Sequence, residues 1–181
     1  MARLTPIISI DQVTAEDRGI AEGIIASRGT LQGPMSLFMY CPELAGRVAD
    51  AGAYVRFEGD LDMRVRVLAA MTVAREFEAM YVWGAQSGNA RRQNVAEATI
   101  DAIRAKHAQG VPAEDAQIMD FTRALLTKHR VTDAEFAAIR SRFGEKQLIE
   151  LTGTIGYYSM LCMTVNACQL EPGEGAEVLK V

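Results

Sequence analysis

The chain has few of the residues from which small active sites are most often built. Among its 181 residues are two histidines and three cysteines. His107 and His129 are too far apart in sequence to form a metal site by themselves. Both fall in polar surroundings near expected helix ends, where a cation suits the helix dipole. Cys41, Cys162 and Cys168 make no Cys-x-x-Cys pair, and Cys162 and Cys168 fall on different faces of one helix. No base accompanies any of them in the sequence, so they read as buried structural thiols. There are 15 glycines, yet neither GxGxxG nor GxxxxGK[ST] occurs, and no nucleotide-binding loop is signalled. A formal net charge of -4 without a long basic run argues against nucleic acid as the main partner. The start, MARLTPIISI, lacks the basic, apolar and cleavage regions of a signal peptide, so a cytoplasmic location is expected. No metal or cofactor is signalled.

What is present is an ordinary globular composition, 49% hydrophobic and 23% charged. The length suits one domain, 1–181, with its core at about 10–172. An apolar arm at 1–12 is expected to pack on a neighbour, and a polar tail at 171–181 to be loosely held. Helical periodicity recurs throughout and no strand signal competes. Helices are expected at about 14–27 (capped by Thr14), 35–40, 42–57, 96–108, 112–129, 132–143 and 145–167, with two more meeting at a bend within 61–93. Thr132 and Glu135 have capping-box spacing, Gly144 closes the helix that they open, and Asn94 suits a left-handed C-cap. The segment 145–167 is long enough to invite a membrane reading. Glu150, its threonines, Ser159 and Asn166 interrupt it, so a buried central helix fits better and no membrane partner is expected. The result is an all-α, single-domain bundle of about eight helices.

The stretch 61–93, LDMRVRVLAAMTVAREFEAMYVWGAQSGNARRQ, carries the unusual residues. Asp62 is a good N-cap. Val67, Ala70, Met71, Ala74 and Phe77 form an apolar stripe, which leaves Arg64, Arg66, Thr72 and Arg75 to face water or a partner subunit. In the next helix Ala79, Val82, Gln86, Asn89 and Gln93 share a face. A buried amide without hydrogen bonds costs about 1–3 kcal/mol. Gln86 and Asn89 therefore either bond to neighbouring helices or water, or line a polar pocket. Met35–Tyr40 is dense in large apolar groups and reads as core, subunit interface or pocket wall.

Three pieces of the chain resemble the carboxymuconolactone decarboxylase and alkylhydroperoxidase D-like family. LDMRVRVLAAMTVAR is similar to the family's LDxRLRELVILRVAR, and AMYVWGAQS to a branch reading AEYEWAHH. ELTGTIGYYSMLCMTVNACQ is similar to a C-terminal ELxxxIGYYxMLAxxLNAxE. The resemblance implies an all-helical alkylhydroperoxidase D-like fold that assembles into dimers, trimers or hexamers, and thiol-peroxidase or lactone-decarboxylase chemistry. In the peroxidase members a glutamate activates a Cys-x-x-Cys pair, with a histidine four residues beyond the second cysteine. Here the glutamate position falls on Val67, the cysteines on Ala79 and Val82, and the histidine on Gln86, with Ala85 at the extra histidine of the cysteine-free branch. That argues against a thiol peroxidase working by the family mechanism.

If chemistry survives, the candidates are Tyr81 or Tyr157 as acid and Gln86 as carbonyl orienter. Trp83, Asn89, Arg91 and Tyr158 are candidate substrate-binding residues, with an arginine as carboxylate clamp. Each has a structural alternative: Trp83 as core, the arginines as solvated or interfacial groups, Glu76 and Glu78 as a charged turn. The favoured function is a cofactor-free lyase, isomerase or cyclase acting on a small keto acid, lactone or aromatic compound, in a homo-oligomer. The alternative is a catalytically silent binding or assembly protein of the same fold.

Overall fold

The structure is a computed structural model, and it describes residues 2–179. Among these residues there are eight α-helices and no strand. They are α1 (Arg18–Arg28), α2 (Pro34–Phe38), α3 (Pro42–Ala53), α4 (Met63–Glu76), α5 (Met80–Arg92), α6 (Glu97–Arg104), α7 (Ala113–Thr127) and α8 (Asp133–Cys168). A 3₁₀ turn at Ile10–Gln12 precedes α1, and a π turn at Tyr54–Glu58 continues α3. The all-α expectation is met.

Helix α4 is the centre of the bundle and packs against α5, α6, α7 and α8. Asp62 caps it, accepting from the Arg64 amide at 2.8 Å. Every residue from 65 to 74 is buried, so α4 presents no solvent face to this chain's surroundings. Full burial of side chains such as Leu68 and Met71 contributes about 1.5–3 kcal/mol each. The expectation that Arg66 and Thr72 face outward is therefore corrected. Thr72 bonds back to the Leu68 carbonyl at 2.8 Å. The guanidinium of Arg66 donates to the carbonyls of Val55 (3.0 Å) and Gly59, the orphan acceptors of the π turn.

Helix α8 runs as two arms. Thr132 and Glu135 form the capping box at its start, and Gly144 (φ 73°, ψ 179°) breaks it where the sequence predicts a stop. The second arm buries Leu148, Leu151, Ile155, Tyr158, Cys162 and Val165. Its opposite face leaves Ile149, Gly153, Gly156 and Met163 exposed. No helix among the described residues is long and apolar enough to cross a membrane.

Several boundaries differ from the sequence reading for physical reasons. α1 starts at Arg18 rather than Thr14, because the Thr14 and Asp17 side chains bond to each other (2.7 Å) and close a turn first. α6 ends at Arg104, and Lys106 turns left-handed (φ 58°). Phe136, placed inside by its spacing, is 43% exposed on the first arm of α8. The described part of the arm, 2–12, lies on its own chain. Arg3 N–H donates to the Cys168 carbonyl (2.8 Å), Ile7 N–H to that of Ser36 (3.1 Å), and the Tyr40 hydroxyl to that of Thr5 (2.9 Å).

The described tail is docked rather than loose. Leu179 is buried, and Glu177 pairs with Arg91 (2.6 Å) and with Arg104. Gly84 permits this approach, since a Cβ there would stand 3.1 Å from both Ala176 Cβ and the Glu177 carbonyl.

Candidate functional site

Two adjoining cavities lie where α5, the π turn and the second arm of α8 meet. The first, about 270 Å³, is walled by Met35, Val82, Leu161 and three tyrosines, Tyr81, Tyr157 and Tyr158. Its polar groups are Arg28, Arg56, Thr30, Gln32 and Gln86, and none of the described acidic residues lines it. The second, about 180 Å³, is lined by Met63, Val67 and Phe57 with the amides of Gln86, Asn89 and Gln93. Arg56, Gln86 and Tyr158 belong to both linings, so these three side chains are the partition.

Gln86 is held in that partition by its neighbours on α5. Its Oε1 accepts from Asn89 Nδ2 at 3.1 Å, and Asn89 Oδ1 accepts from Arg92. The printed bonds of these amides stay within α5 rather than reaching neighbouring helices, and both amides face cavities. Gln86 is buried, and its Nε2 remains available to whatever enters.

Arg28, the last residue of α1, reaches in from the other side. Its Nη2 donates to the Ala49 carbonyl at 2.5 Å, while Nε and Nη1 are buried without a partner. Burial lowers its pKa, and the nearby Tyr157 and Asp50 act in the opposite sense. Gly52 makes the arrangement possible. A Cβ on it would lie 2.1 Å from Tyr157 Oη and 2.6 Å from Arg28 Nη2, so only glycine lets both polar ends close on α3. Arg56 is delivered by the π turn and has no carboxylate partner; its guanidinium carbon lies 4.8 Å from the centroid of the Phe57 ring.

Burial raises the pKa of all three tyrosines. Tyr81 rises by burial alone. Tyr157 rises by burial, opposed by Arg28 and Arg56. Tyr158, packed edge-on to Tyr157 with ring centroids 5.5 Å apart, is pushed up to about 12. At neutral pH the site holds neutral phenols that donate protons, beside guanidiniums that attract anions.

The structure brings Tyr81, Gln86, Tyr157 and Tyr158 together on the first cavity and places Asn89 on the second. It places two other candidates elsewhere. Trp83 is wholly buried beneath Arg104, 5.4 Å from its guanidinium carbon, because it occupies the face of α5 turned to α6 and the tail. Arg91 points to that same side and pairs with Glu97 (2.7 Å) and Glu177 (2.6 Å). The sequence reading missed Arg28 and Arg56. Nothing in sequence separates an arginine that faces a helix dipole from one that faces a cavity, and the π turn that aims Arg56 leaves no mark in the hydrophobic period. Of the positions to which the resemblance assigns reactive groups, Val82, Ala85 and Gln86 line the first cavity and Val67 and Gln86 the second, whereas Ala79, buried just before α5, lines neither.

No protein-family model and no curated protein matches the chain. Solved structures do match. The alkylhydroperoxidase AhpD core of an uncharacterized peroxidase-related protein from Ralstonia eutropha JMP134 superposes with a TM-score of 0.77 at 13% identity, over 96% of this chain and 93% of that one. An uncharacterized peroxidase-related protein from Silicibacter sp. TM1040 gives 0.77 at 14% identity, over 97% and 93%. The debrominase Bmp8, in complex with 2,3,4-tribromopyrrole, gives 0.72 at 16% identity, over 96% and 95%. The chain has the alkylhydroperoxidase D-like fold.

Proposed function

We propose that this chain, built on the alkylhydroperoxidase D-like fold, is a cytoplasmic, cofactor-free lyase, isomerase or cyclase acting on a small keto acid, lactone or aromatic compound. The observation that carries this reading is the convergence of Tyr81, Tyr157, Tyr158 and Gln86 on one small cavity. That a debrominase of the same fold is described with a small halogenated aromatic bound is consistent with a ligand of this size. Tyr81 or Tyr157, kept neutral by burial, donates a proton to the atom at which negative charge develops. The Gln86 Nε2–H orients a carbonyl oxygen and stabilises it as charge builds there. The tyrosinate left behind is reprotonated from solvent before the next turnover. Among the described lining residues none is Asp, Glu, His or Cys, which favours steps that begin with bond heterolysis over steps that begin with removal of a proton by the protein. It equally disfavours the thiol-peroxidase mechanism.

The same reading includes a homo-oligomer. A groove of about 540 Å³ opens between the π turn and the second arm of α8, walled by Tyr54, Leu61, Ile149 and Gly153. Ile149 is 67% exposed and Tyr54 43% exposed at its rim, an apolar surface of the kind that a second copy covers.

Turnover is the test. The protein is incubated with small lactones, β-keto acids and aromatic acids, and consumption is followed by chromatography. One class is expected to be converted, with Tyr81→Phe or Tyr157→Phe lowering kcat about a hundredfold or more while ligand binding persists. Binding without conversion of any class would instead favour a silent binding protein of the same fold.

A further inference from the structure

We infer that the first cavity takes its ligand as an anion. The carboxylate of a small planar organic acid lies on Arg28 and Arg56, and the apolar ring or chain lies among Tyr81, Val82 and Leu161. This deepens the function proposed above and rests on the same cavity. Three observations carry it. The Nε and Nη1 of Arg28 are buried with no acceptor among the described residues, an expensive arrangement for a cation on the cavity wall. Arg56, a second cation on the same cavity, has no acidic partner among the described residues, and the two guanidiniums repel each other. No carboxylate of the described residues lines the cavity, so the charge that would compensate both is left for a ligand to bring.

Geometry selects a carboxylate. A guanidinium presents parallel N–H groups that match the two oxygens of a carboxylate. Tyr157 Oη lies at the same place, since both it and Arg28 Nη2 would collide with a Cβ on Gly52. The rest of the wall is apolar and aromatic, which suits a hydrophobic body on the acid and gives nothing to a free phosphate. The arrangement also limits the chemistry. A carboxylate stabilised by two arginines is a poor leaving group, because its charge would have to move away from them as carbon dioxide departs. The acid group bound at Arg28 is therefore a handle, and the reacting carbon lies at the far end, near Tyr81 and Gln86.

The probe is benzoate, titrated into the full chain by calorimetry and by thermal shift, against benzyl alcohol as the neutral isostere and inorganic phosphate as the bare anion. Benzoate is expected to bind saturably and raise Tm, while benzyl alcohol and phosphate at equal concentration do not. Arg28→Gln should weaken benzoate binding about tenfold or more, with Arg28→Lys recovering part of it. Gly52→Ala should produce a comparable loss without removing any charge, and it keeps the test open if Arg28→Gln does not fold. Equal stabilisation by benzyl alcohol, equal binding of phosphate, no response to benzoate, or unchanged affinity in both variants each overturns the inference. Benzoate binding without turnover of any substrate removes the enzymatic reading alone. Turnover of a neutral lactone with no affinity for benzoate removes the anion subsite alone.

Discussion

Arg64 and Asp115 join α4 to α7, and they should respond very unequally to deletion. The two form a bidentate pair, Nη1–Oδ1 at 2.6 Å and Nη2–Oδ2 at 2.7 Å, with the Thr99 hydroxyl 3.4 Å from Oδ2. The Asp115 side chain has no exposure, whereas that of Arg64 is 29% exposed. Arg64→Met strands a carboxylate that water cannot reach and that retains only a long contact to Thr99. Such a loss costs about 3–5 kcal/mol. Asp115→Ala strands a guanidinium that can swing toward solvent, so the cost falls to about 1–3 kcal/mol for the lost charge-assisted bonds. The double variant leaves no unpaired charge, and should sit at least about 2 kcal/mol above the additive expectation. Urea unfolding of the three variants, with m-values compared to confirm an unchanged transition, measures all of this. If Asp115→Ala costs as much as Arg64→Met, or the two costs simply add, differential burial does not govern this pair and the reasoning fails.

Gln86→Ala removes part of the partition between the two cavities. It should admit an acid too long for the wild-type site, such as 4-biphenylcarboxylate, while changing benzoate affinity little; equal exclusion of the long acid by both proteins would show that the cavities do not merge. Alkaline pH should destabilise the fold. Burial holds Tyr158 and Cys162 up to about 12, above their ordinary values of 10.0 and 9.0, so their contribution is intact below about pH 9 and is lost as pH rises toward about 12. Stability measured by urea melts across that window should fall less steeply in Tyr158→Phe and in Cys162→Val. Deleting residues 173–181 should shift the emission of Trp83, the sole tryptophan, to longer wavelength, because the deletion frees Arg104 from Glu177 above the indole. An unchanged spectrum would mean that the tail does not order this region.

The fold was legible because its signals are local and redundant. Asp62, the Thr132–Glu135 box, Asn94 and Gly144 each mark a helix end by side-chain or backbone chemistry, and each does so in the structure. Helix α4 was misread in one respect that periodicity cannot correct. A stripe specifies one buried face, but α4 is enclosed on all sides, and its outward arginine, Arg66, found acceptors only because the π turn left carbonyls of Val55 and Gly59 unpaired. The site was half legible. Gln86, Asn89 and Gln93 recur on one face of α5 and do line a cavity. Arg28 and Arg56 come from segments far from α5 in sequence, and only the fold sets them opposite those amides.

At the positions where the resemblance would place reactive groups, the residues present share a physical character. At 67, 82 and 85 the groups are now apolar, while at 86 an amide keeps hydrogen-bonding capacity without titrating. Around them stand phenols with raised pKa and two guanidiniums that are not matched by any lining carboxylate. Among the described lining residues none is Asp, Glu, His or Cys. A redox thiol pair needs a base and loses nothing by being exposed to water. This cavity has the reverse character, since its polar groups gain strength from exclusion of water. Where the resemblance would place cysteines and a histidine, the chain keeps a cavity, and the arginine that lines it has two buried nitrogens with no partner among the described residues.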